Sequence, residues 1–187
     1  MESQSWIDTA IGELERVGVT FASGLDDTEG VAIESQFAFV FPPDLRALLQ
    51  AALPTSRDFV DWRGDAALIH KRMRWPYEGI CFDIEHNNFW MLDWGERPAN
   101  LPDAFKIAEK QVSAAPKLIP IYSHRYIPDD PQRSGNPVFS VWQTDIIYYG
   151  YDLPCYLQRE FKFSISHSGP SQPRRIRLWP DIAENGV

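Results

Sequence analysis

The chain has 187 residues, of which 44% are hydrophobic and 13% aromatic, and it carries a formal net charge of -8. These values exclude a disordered chain and fit one ordered domain, which at this length buries about 70% of the surface that its unfolded form exposes. The acidic balance argues against nucleic acid as the main partner, because phosphate binding depends on Lys and Arg, and it favours a basic protein partner.

Cysteine content and hydrophobic patterning predict where the protein resides. Cys81 and Cys155 are the only cysteines, too few for the disulfide framework of a small secreted domain. The first residues, MESQSWIDTAIGELERVG, lack a basic start followed by an apolar run, and no window of the sequence reaches the ~18 uninterrupted apolar residues of a membrane span. We therefore expect a cytoplasmic protein with reduced thiols and no membrane association.

The first two helices are predicted from the residues at their starts. Ser5 and Asp8 resemble a capping box that opens a first helix, and the apolar spacing that follows it continues to Gly18. Asp26 with Glu29 three residues later predicts the cap of a second helix.

Three further helical segments follow. Pro43 suits the first position of a third helix, because its fixed backbone angle is already helical. Residues 65–87 also read as helical, with a break at Pro76, since the residue before a proline is pushed out of the helical region. Residues 101–114 form another amphipathic segment.

The second half of the chain changes character. KLIPIYSHRYIP and PVFSVWQTDIIYYG are rich in β-branched and aromatic residues and are separated by the turn-forming SGNP, which predicts three or four antiparallel strands. A final helix is expected over residues 153–163. Residues 1–165 are predicted to form one domain, with residues 166–187 as a loop and tail packed on it.

This order of elements predicts the fold class. Helices followed by strands favour an α+β fold, in which helices pack around a small, mainly antiparallel, twisted sheet. A doubly wound parallel sheet is the alternative.

Motifs for metal and nucleotide binding are missing from the sequence. Asp83 and His86 lie three residues apart, but two ligands do not make a zinc site, and neither H-E-x-x-H nor paired C-x-x-C occurs. The 11 glycines form no phosphate-binding loop. We therefore expect no metal and no cofactor, and we expect the basic tail at Arg174, Arg175 and Arg177 to face solvent or form salt links rather than bind phosphate.

Two enzymatic alternatives stay open. Cys155 with His124 or His167 would supply a thiolate and a base if the fold brought them together, although a free Cys is ordinarily a buried structural thiol. The other alternative is a small hydrolase or ligand-binding domain with a cleft of histidines and carboxylates. Its candidate residues are Asp83, Glu85, His86 and His124.

Aromatic and acidic residues in the second half predict a protein-binding surface. Tyr and Trp are favoured interface anchors, and acidic neighbours attract basic partners. The alternative is that these aromatic side chains fill the core. The candidate surface residues are Asp129, Asp130, Trp142, Asp145, Tyr149 and Asp152.

Several segments resemble a known family. GLDDTEGVAIESQFAFVFPPDLRALLQAALP is similar to the helical N-terminal signature of the SUKH superfamily, which includes fungal cell-wall-assembly regulators and bacterial immunity proteins. WPYEGICFDIEHNNFWMLDWG, LIPIYSHRYIP and GNPVFSVWQTDIIYYG resemble a bacterial branch of that group, so the resemblance runs from about Gly24 to Phe161. Ala38 stands where a helix-ending glycine would suit the signature.

The resemblance implies an α+β domain with a non-enzymatic role. Bacterial members are commonly encoded beside toxins and are thought to bind and neutralise them. We therefore expect an immunity-type protein that occludes a basic toxin domain by direct binding, as a monomer or weak dimer. A regulatory scaffold like the fungal relatives is a further alternative that differs only in its partner.

Overall fold

Helices make up most of the first half of the chain, and a four-stranded antiparallel sheet lies within the second half, in a computed structural model that describes residues 2–185. The seven α-helices of these residues are α1 (Glu2–Arg16), α2 (Asp27–Phe37), α3 (Pro43–Ala51), α4 (Ala66–His86), α5 (Leu101–Ala114), α6 (Leu153–Phe161) and α7 (Trp179–Asn185). The strands are β1 (Phe21–Ser23), β2 (Ala52–Pro54), β3 (Leu118–Tyr122), β4 (Arg125–Pro128), β5 (Val138–Trp142) and β6 (Asp145–Gly150), and a short 3-10 helix spans Leu92–Trp94. The α+β class and the antiparallel sheet are thus confirmed.

The main sheet is a meander in which each strand pairs with the next, in the order β3-β4-β5-β6, and β1 pairs with β2 in a separate small ribbon. Trp142 lies opposite Asp145 and Val138 opposite Gly150, while Arg125 lies opposite Ser140. The β3–β4 turn and the β5–β6 turn therefore lie at the same end of the sheet.

Both faces of the sheet are covered by helices. Alternation along the strands sends Ile119 and Ile127 into one apolar cluster with residues of α1, α3 and α6. The opposite face places Tyr126 and Phe139 in a second cluster with residues of α4, α5 and α7. Burial on two faces explains why β3, LIPIY, reads as a continuous apolar run.

Of the two helix caps predicted from the sequence, the one for α1 is wrong and the one for α2 is confirmed. Helix α1 already begins at Glu2, so Ser5 lies inside the helix rather than at its cap. The capping box of α2 is confirmed: Asp26 Oδ1 accepts from the Glu29 backbone N–H at 2.8 Å, and Glu29 Oε2 accepts from the Asp26 N–H at 2.9 Å. Arg63 clamps the same Glu29 carboxylate with two further hydrogen bonds of 2.6 and 2.8 Å.

Helix α4 corrects a prediction from the sequence. It runs without interruption through Pro76, whereas a break was expected there. Proline has no N–H for the carbonyl four residues earlier, which belongs to Arg72. The Tyr126 hydroxyl on β4 donates to that carbonyl instead, so the sheet supplies the hydrogen bond that the helix lacks.

The C-terminal region holds one more helix than predicted. Helix α6 ends at Phe161, two residues early, and an irregular segment then leads to α7. Ile176, Trp179 and Ile182 are buried in the second cluster, and the Trp179 indole donates to the Pro116 carbonyl at 2.8 Å.

Candidate functional site

A groove lies where the two hairpin turns of the sheet meet the middle of α4. Its volume is about 310 Å³, and we call it the tryptophan groove. Its lining residues are Asp58, Lys71, Arg72, Trp75, Ser123, His124, Tyr126 and Trp142.

Two indoles dominate the surface of the groove. Trp75 on α4 and Trp142 at the end of β5 have ring centroids 6.0 Å apart, with their planes inclined by 59°. Trp75 is 39% exposed and Trp142 is 56% exposed. Trp side chains are seldom left exposed on a protein surface, because they carry the largest apolar area of any residue. Such a pair therefore marks a surface that differs from the rest of the molecule.

The groove is rigid because the β5–β6 turn is fastened to α4. Asp83 of α4, itself buried, accepts hydrogen bonds from the Thr144 N–H at 2.9 Å and the Thr144 hydroxyl at 2.6 Å. Gly79, one turn earlier, approaches so closely that a Cβ there would lie 2.7 Å from the Cα of Gln143. Trp142, next to this turn, is thereby held at a fixed place beside α4.

Arg72 fastens the other wall. Its guanidinium donates to the backbone carbonyls of Asp58 at 3.0 Å, Phe59 at 3.1 Å and Ser123 at 2.7 Å, so it ties two loops to α4. Burial lowers the pKa of Arg72 from its ordinary value. Its donors are occupied by main-chain oxygens, which gives this arginine a structural role in the groove.

His124 stands between Ser123 and Trp142. Its Nδ1 lies 3.0 Å from the Ser123 hydroxyl, and its ring centroid lies 6.0 Å from that of Trp142. Burial, followed by the nearby charge of Arg125, lowers the pKa of His124. Both effects favour the neutral imidazole over the charged form.

The fold separates the six residues predicted as one surface. Trp142 and Asp145 are cross-strand neighbours at the groove, and both are exposed. Asp129, Asp130 and Asp152 instead follow the far ends of β4 and β6, at the opposite end of the sheet.

The remaining predicted residues are largely engaged in the fold. Asp129 accepts from the Lys117 N–H at 2.8 Å, whereas Asp130 is exposed. Tyr149 is covered by the guanidinium groups of Arg125 and Arg159, which lie 3.8 and 4.4 Å from its ring centroid. Asp152 is only 4% exposed and caps α6, so it offers no surface to a partner.

The residues of the predicted hydrolase cleft form no convergent group. Asp83 is used by Thr144, as described above, and by the Asn87 side chain. His86 is exposed, with its ring 4.5 Å from Phe82 and its Nε2 3.7 Å from Glu85. His124 lies in the tryptophan groove. Within residues 2–185, none of these residues belongs to a set of three ligand-type side chains that come together.

The set that does come together consists of Asp152, Cys155 and His167, whose ligand atoms lie within 4.8 Å of one another. His167 Nε2 is 2.6 Å from Asp152 Oδ2, and Asp152 Oδ1 accepts from the Cys155 N–H at 2.8 Å. Burial, followed by hydrogen bonding to Asp152, raises the pKa of the Cys155 thiol to about 12. The fold thus joins Cys155 to His167, but it disfavours the free thiolate that a nucleophile needs.

Only part of this set can be predicted from the sequence. Asp152 and Cys155 stand at the spacing of a helix cap and its third residue. His167 joins them only through the tertiary path of the chain after α6, which no local spacing reveals.

Comparisons with models of known protein families, with curated proteins and with solved structures find no match to this chain. Among the helices of residues 2–185, none combines the length and the apolar character needed to cross a bilayer.

Proposed function

We propose that this chain is a non-enzymatic protein-binding domain whose contact surface is the tryptophan groove. The observation that carries the proposal is the pair of part-exposed indoles, Trp75 and Trp142, held 6.0 Å apart on a rigid scaffold. Following the sequence resemblance to the SUKH superfamily, we further propose that it is an intracellular immunity protein that neutralises a toxin by covering it.

Trp is the residue type most suited to anchor a partner. Interface hot spots are enriched in Trp, Tyr and Arg, and they require a fixed pocket from which water is excluded. The hydrogen bonds of Asp83 and Arg72 fix the two walls here. A partner side chain packed on the exposed faces of the two rings would bury both indoles at small entropic cost, since the scaffold is already ordered.

Charge favours a basic partner. The chain carries a net charge of -8, which accelerates association with a positive protein. Asp58 lines the groove and Asp145 lies beside Trp142. Exposed indole faces also attract Lys and Arg side chains. We therefore propose that a Lys or Arg of the toxin packs on the exposed faces of Trp75 and Trp142. Lys71, exposed at the rim, and the half-buried guanidinium of Arg72 carry the positive charges that oppose such a partner.

Affinity purification of the tagged protein from its native host tests the biological part of this proposal. A wash at about 0.5 M salt screens surface charge and removes weak contacts. We expect one stoichiometric basic protein that is toxic when expressed alone and harmless when co-expressed with this chain. Recovery of a basic partner without toxicity would leave a binding domain but overturn the immunity assignment.

Substitutions in the groove test the surface itself. Trp142→Ala and Trp75→Ala should each weaken binding of the recovered partner at least about 30-fold, which corresponds to the ~2 kcal/mol of an anchor residue. Leu92→Ala is the matched control, because Leu92 is 77% exposed and lies outside the groove. Thermal unfolding of each variant separates lost contact from lost structure. Unchanged affinity in both Trp variants would overturn the assignment of this surface.

A pair of charge substitutions tests the sign of the partner. Asp145→Lys should weaken binding, whereas Lys71→Glu should strengthen it, and both effects should shrink at about 0.5 M salt. The opposite pattern would indicate an acidic partner and contradict the proposed one.

A further inference from the structure

We propose that Asp152, Cys155 and His167 form a binding site for a transition-metal ion of the zinc class. Their ligand atoms lie within 4.8 Å of one another, and they come from one short region at the start of α6 and the segment that follows the helix. Asp152 is 4% exposed and the His167 side chain is 23% exposed, so the group lies just beneath the surface.

The donor set matches this class of metal. Cys155, whose thiol proton a bound metal ion would displace to solvent, would supply a thiolate beside the imidazole and the carboxylate, and these are the three donor types that bind zinc, at about 2.3 Å for sulfur and about 2.0–2.2 Å for nitrogen and oxygen. Three protein ligands with an open fourth position for water are the arrangement of zinc sites that remain accessible. The partial exposure of His167 puts the group within reach of a solvent water molecule.

The carboxylate is already held in a ligating orientation. The Cys155 backbone N–H binds Asp152 Oδ1 at 2.8 Å, which leaves Oδ2 directed at His167 Nε2, 2.6 Å away. A metal ion placed between Asp152 and His167 would take the place of the hydrogen atom that now joins them. Side-chain movements of the order of 1 Å would bring the ligand atoms from their present separations to those of a tetrahedral site.

A glycine closes the site from the side of the loop. A Cβ on Gly169 would lie 2.3 Å from the Cys155 sulfur, so the backbone of the segment after α6 rests directly against the thiol. Two residues before it, the same segment carries His167. A bound ion would therefore fasten this segment to the start of α6, at the end of the sheet opposite the tryptophan groove.

The experiment uses the full-length protein, treated with a chelator and dialysed, with Co²⁺ and Zn²⁺ salts as the only probes. We expect one Co²⁺ per chain, with a thiolate-to-cobalt charge-transfer band and the strong visible absorption of four-coordinate cobalt. Zn²⁺ should displace the Co²⁺ and raise the unfolding temperature, because it binds only the folded chain.

Three variants assign the ligands, and two serve as controls. Cys155→Ser should abolish the charge-transfer band, and His167→Gln and Asp152→Asn should each weaken Co²⁺ binding at least tenfold. Asn retains the capping ability of Asp, so the last variant keeps α6 intact. Cys81→Ser and His86→Gln should bind as the original chain does.

Two results would overturn the proposal. One is the absence of a cobalt band and of a zinc-dependent shift in unfolding temperature up to about 1 mM metal, which would leave a hydrogen-bond network only. The other is a charge-transfer band that persists in Cys155→Ser. Affinity for a protein partner is a separate readout, which His167→Gln should not change.

Discussion

The Tyr126 hydroxyl donates a hydrogen bond of 2.9 Å to the backbone carbonyl of Arg72, the carbonyl that Pro76 leaves without its helical donor. Tyr126 is 2% exposed, and burial raises its pKa above the ordinary value, so the phenol keeps its proton and remains a donor. A side chain of the sheet thus completes the main-chain bonding of α4.

Replacing Tyr126 by Phe should lower the free energy of unfolding by about 1–3 kcal/mol, because a buried acceptor loses its partner. Urea denaturation measures this loss. Pro76→Ala supplies the missing N–H, so Tyr126→Phe should cost much less in that background. Equal costs in both backgrounds would show that the two residues act independently.

Ala38 should be improved by glycine. It ends α2 with φ 54° and ψ 51°, in the left-handed region, which costs a residue with a Cβ about 1–2 kcal/mol. Glycine removes this strain, but part of the stabilisation is offset because glycine increases the conformational entropy of the unfolded chain. We therefore expect Ala38→Gly to stabilise the protein by about 0.5–1 kcal/mol.

The control for this change lies in the same helix. Ala32 is exposed in the interior of α2, so Ala32→Gly should destabilise by about 1 kcal/mol. Thermal or urea unfolding of the two variants should give shifts of opposite sign. Two losses of similar size would contradict the strain assigned to Ala38.

Gly79 should not tolerate alanine. The added Cβ would meet backbone atoms of Gln143 at 2.7 Å, and backbone cannot move aside as a flexible side chain can. We expect Gly79→Ala to destabilise by about 1–3 kcal/mol, as overpacking does, and to change the environment of Trp142.

Gly12 provides the comparison for that substitution. It lies inside α1, and beyond the adjoining backbone of that helix no heavy atom of the described residues lies within 4 Å of an added Cβ. Gly12→Ala should therefore stabilise the protein by up to about 1 kcal/mol through helix propensity. Tryptophan fluorescence should change in the Gly79 variant and not in the Gly12 variant.

Glu29 should contribute stability that disappears in acid. Its hydrogen bonds with the Arg63 side chain, and then with the Asp26 N–H, lower its pKa from 4.5 to about 2. Because the folded pKa is the lower one, the contribution is complete above pH 4.5 and is lost as the pH falls toward 2. The difference in the free energy of unfolding between the original chain and Glu29→Gln should shrink as the pH falls through this range.

Two measurements complete that test. The carboxyl carbon of Glu29, followed by NMR, should titrate near pH 2 and move upward in Arg63→Gln. A Glu29 titration unaffected by the Arg63 substitution would contradict the role given to the pair.

Local signals predicted some elements of the fold and missed others. The Asp26–Glu29 box and the bounds of α5 are as expected, because these features depend on residues a few positions apart. The continuity of α4 was missed, since the donor that replaces the N–H of Pro76 lies on a strand about fifty residues later. Proline rules describe an isolated helix and cannot include a partner from elsewhere in the chain.

The site was predicted only in part, for a related reason. Trp142 and Asp145 were chosen from the sequence, and they do flank the groove. Asp152 was chosen for its closeness to them along the chain, but the antiparallel register carries it to the other end of the sheet. Trp75 reaches the groove only because Gly79 and Asp83 bring α4 against the β5–β6 turn.

The sequential pairing of β3 to β6 also bears on how the chain reaches its structure. The β3–β4 and β5–β6 hairpins each close a loop of two residues, and nine residues join β4 to β5, so the sheet can form at low entropic cost and early. Helix α1 packs against α3 and α6, and α6 is encoded only after the last strand. During synthesis, α1 and α3 therefore emerge before α6, so the apolar face of α1 is only partly covered until α6 follows.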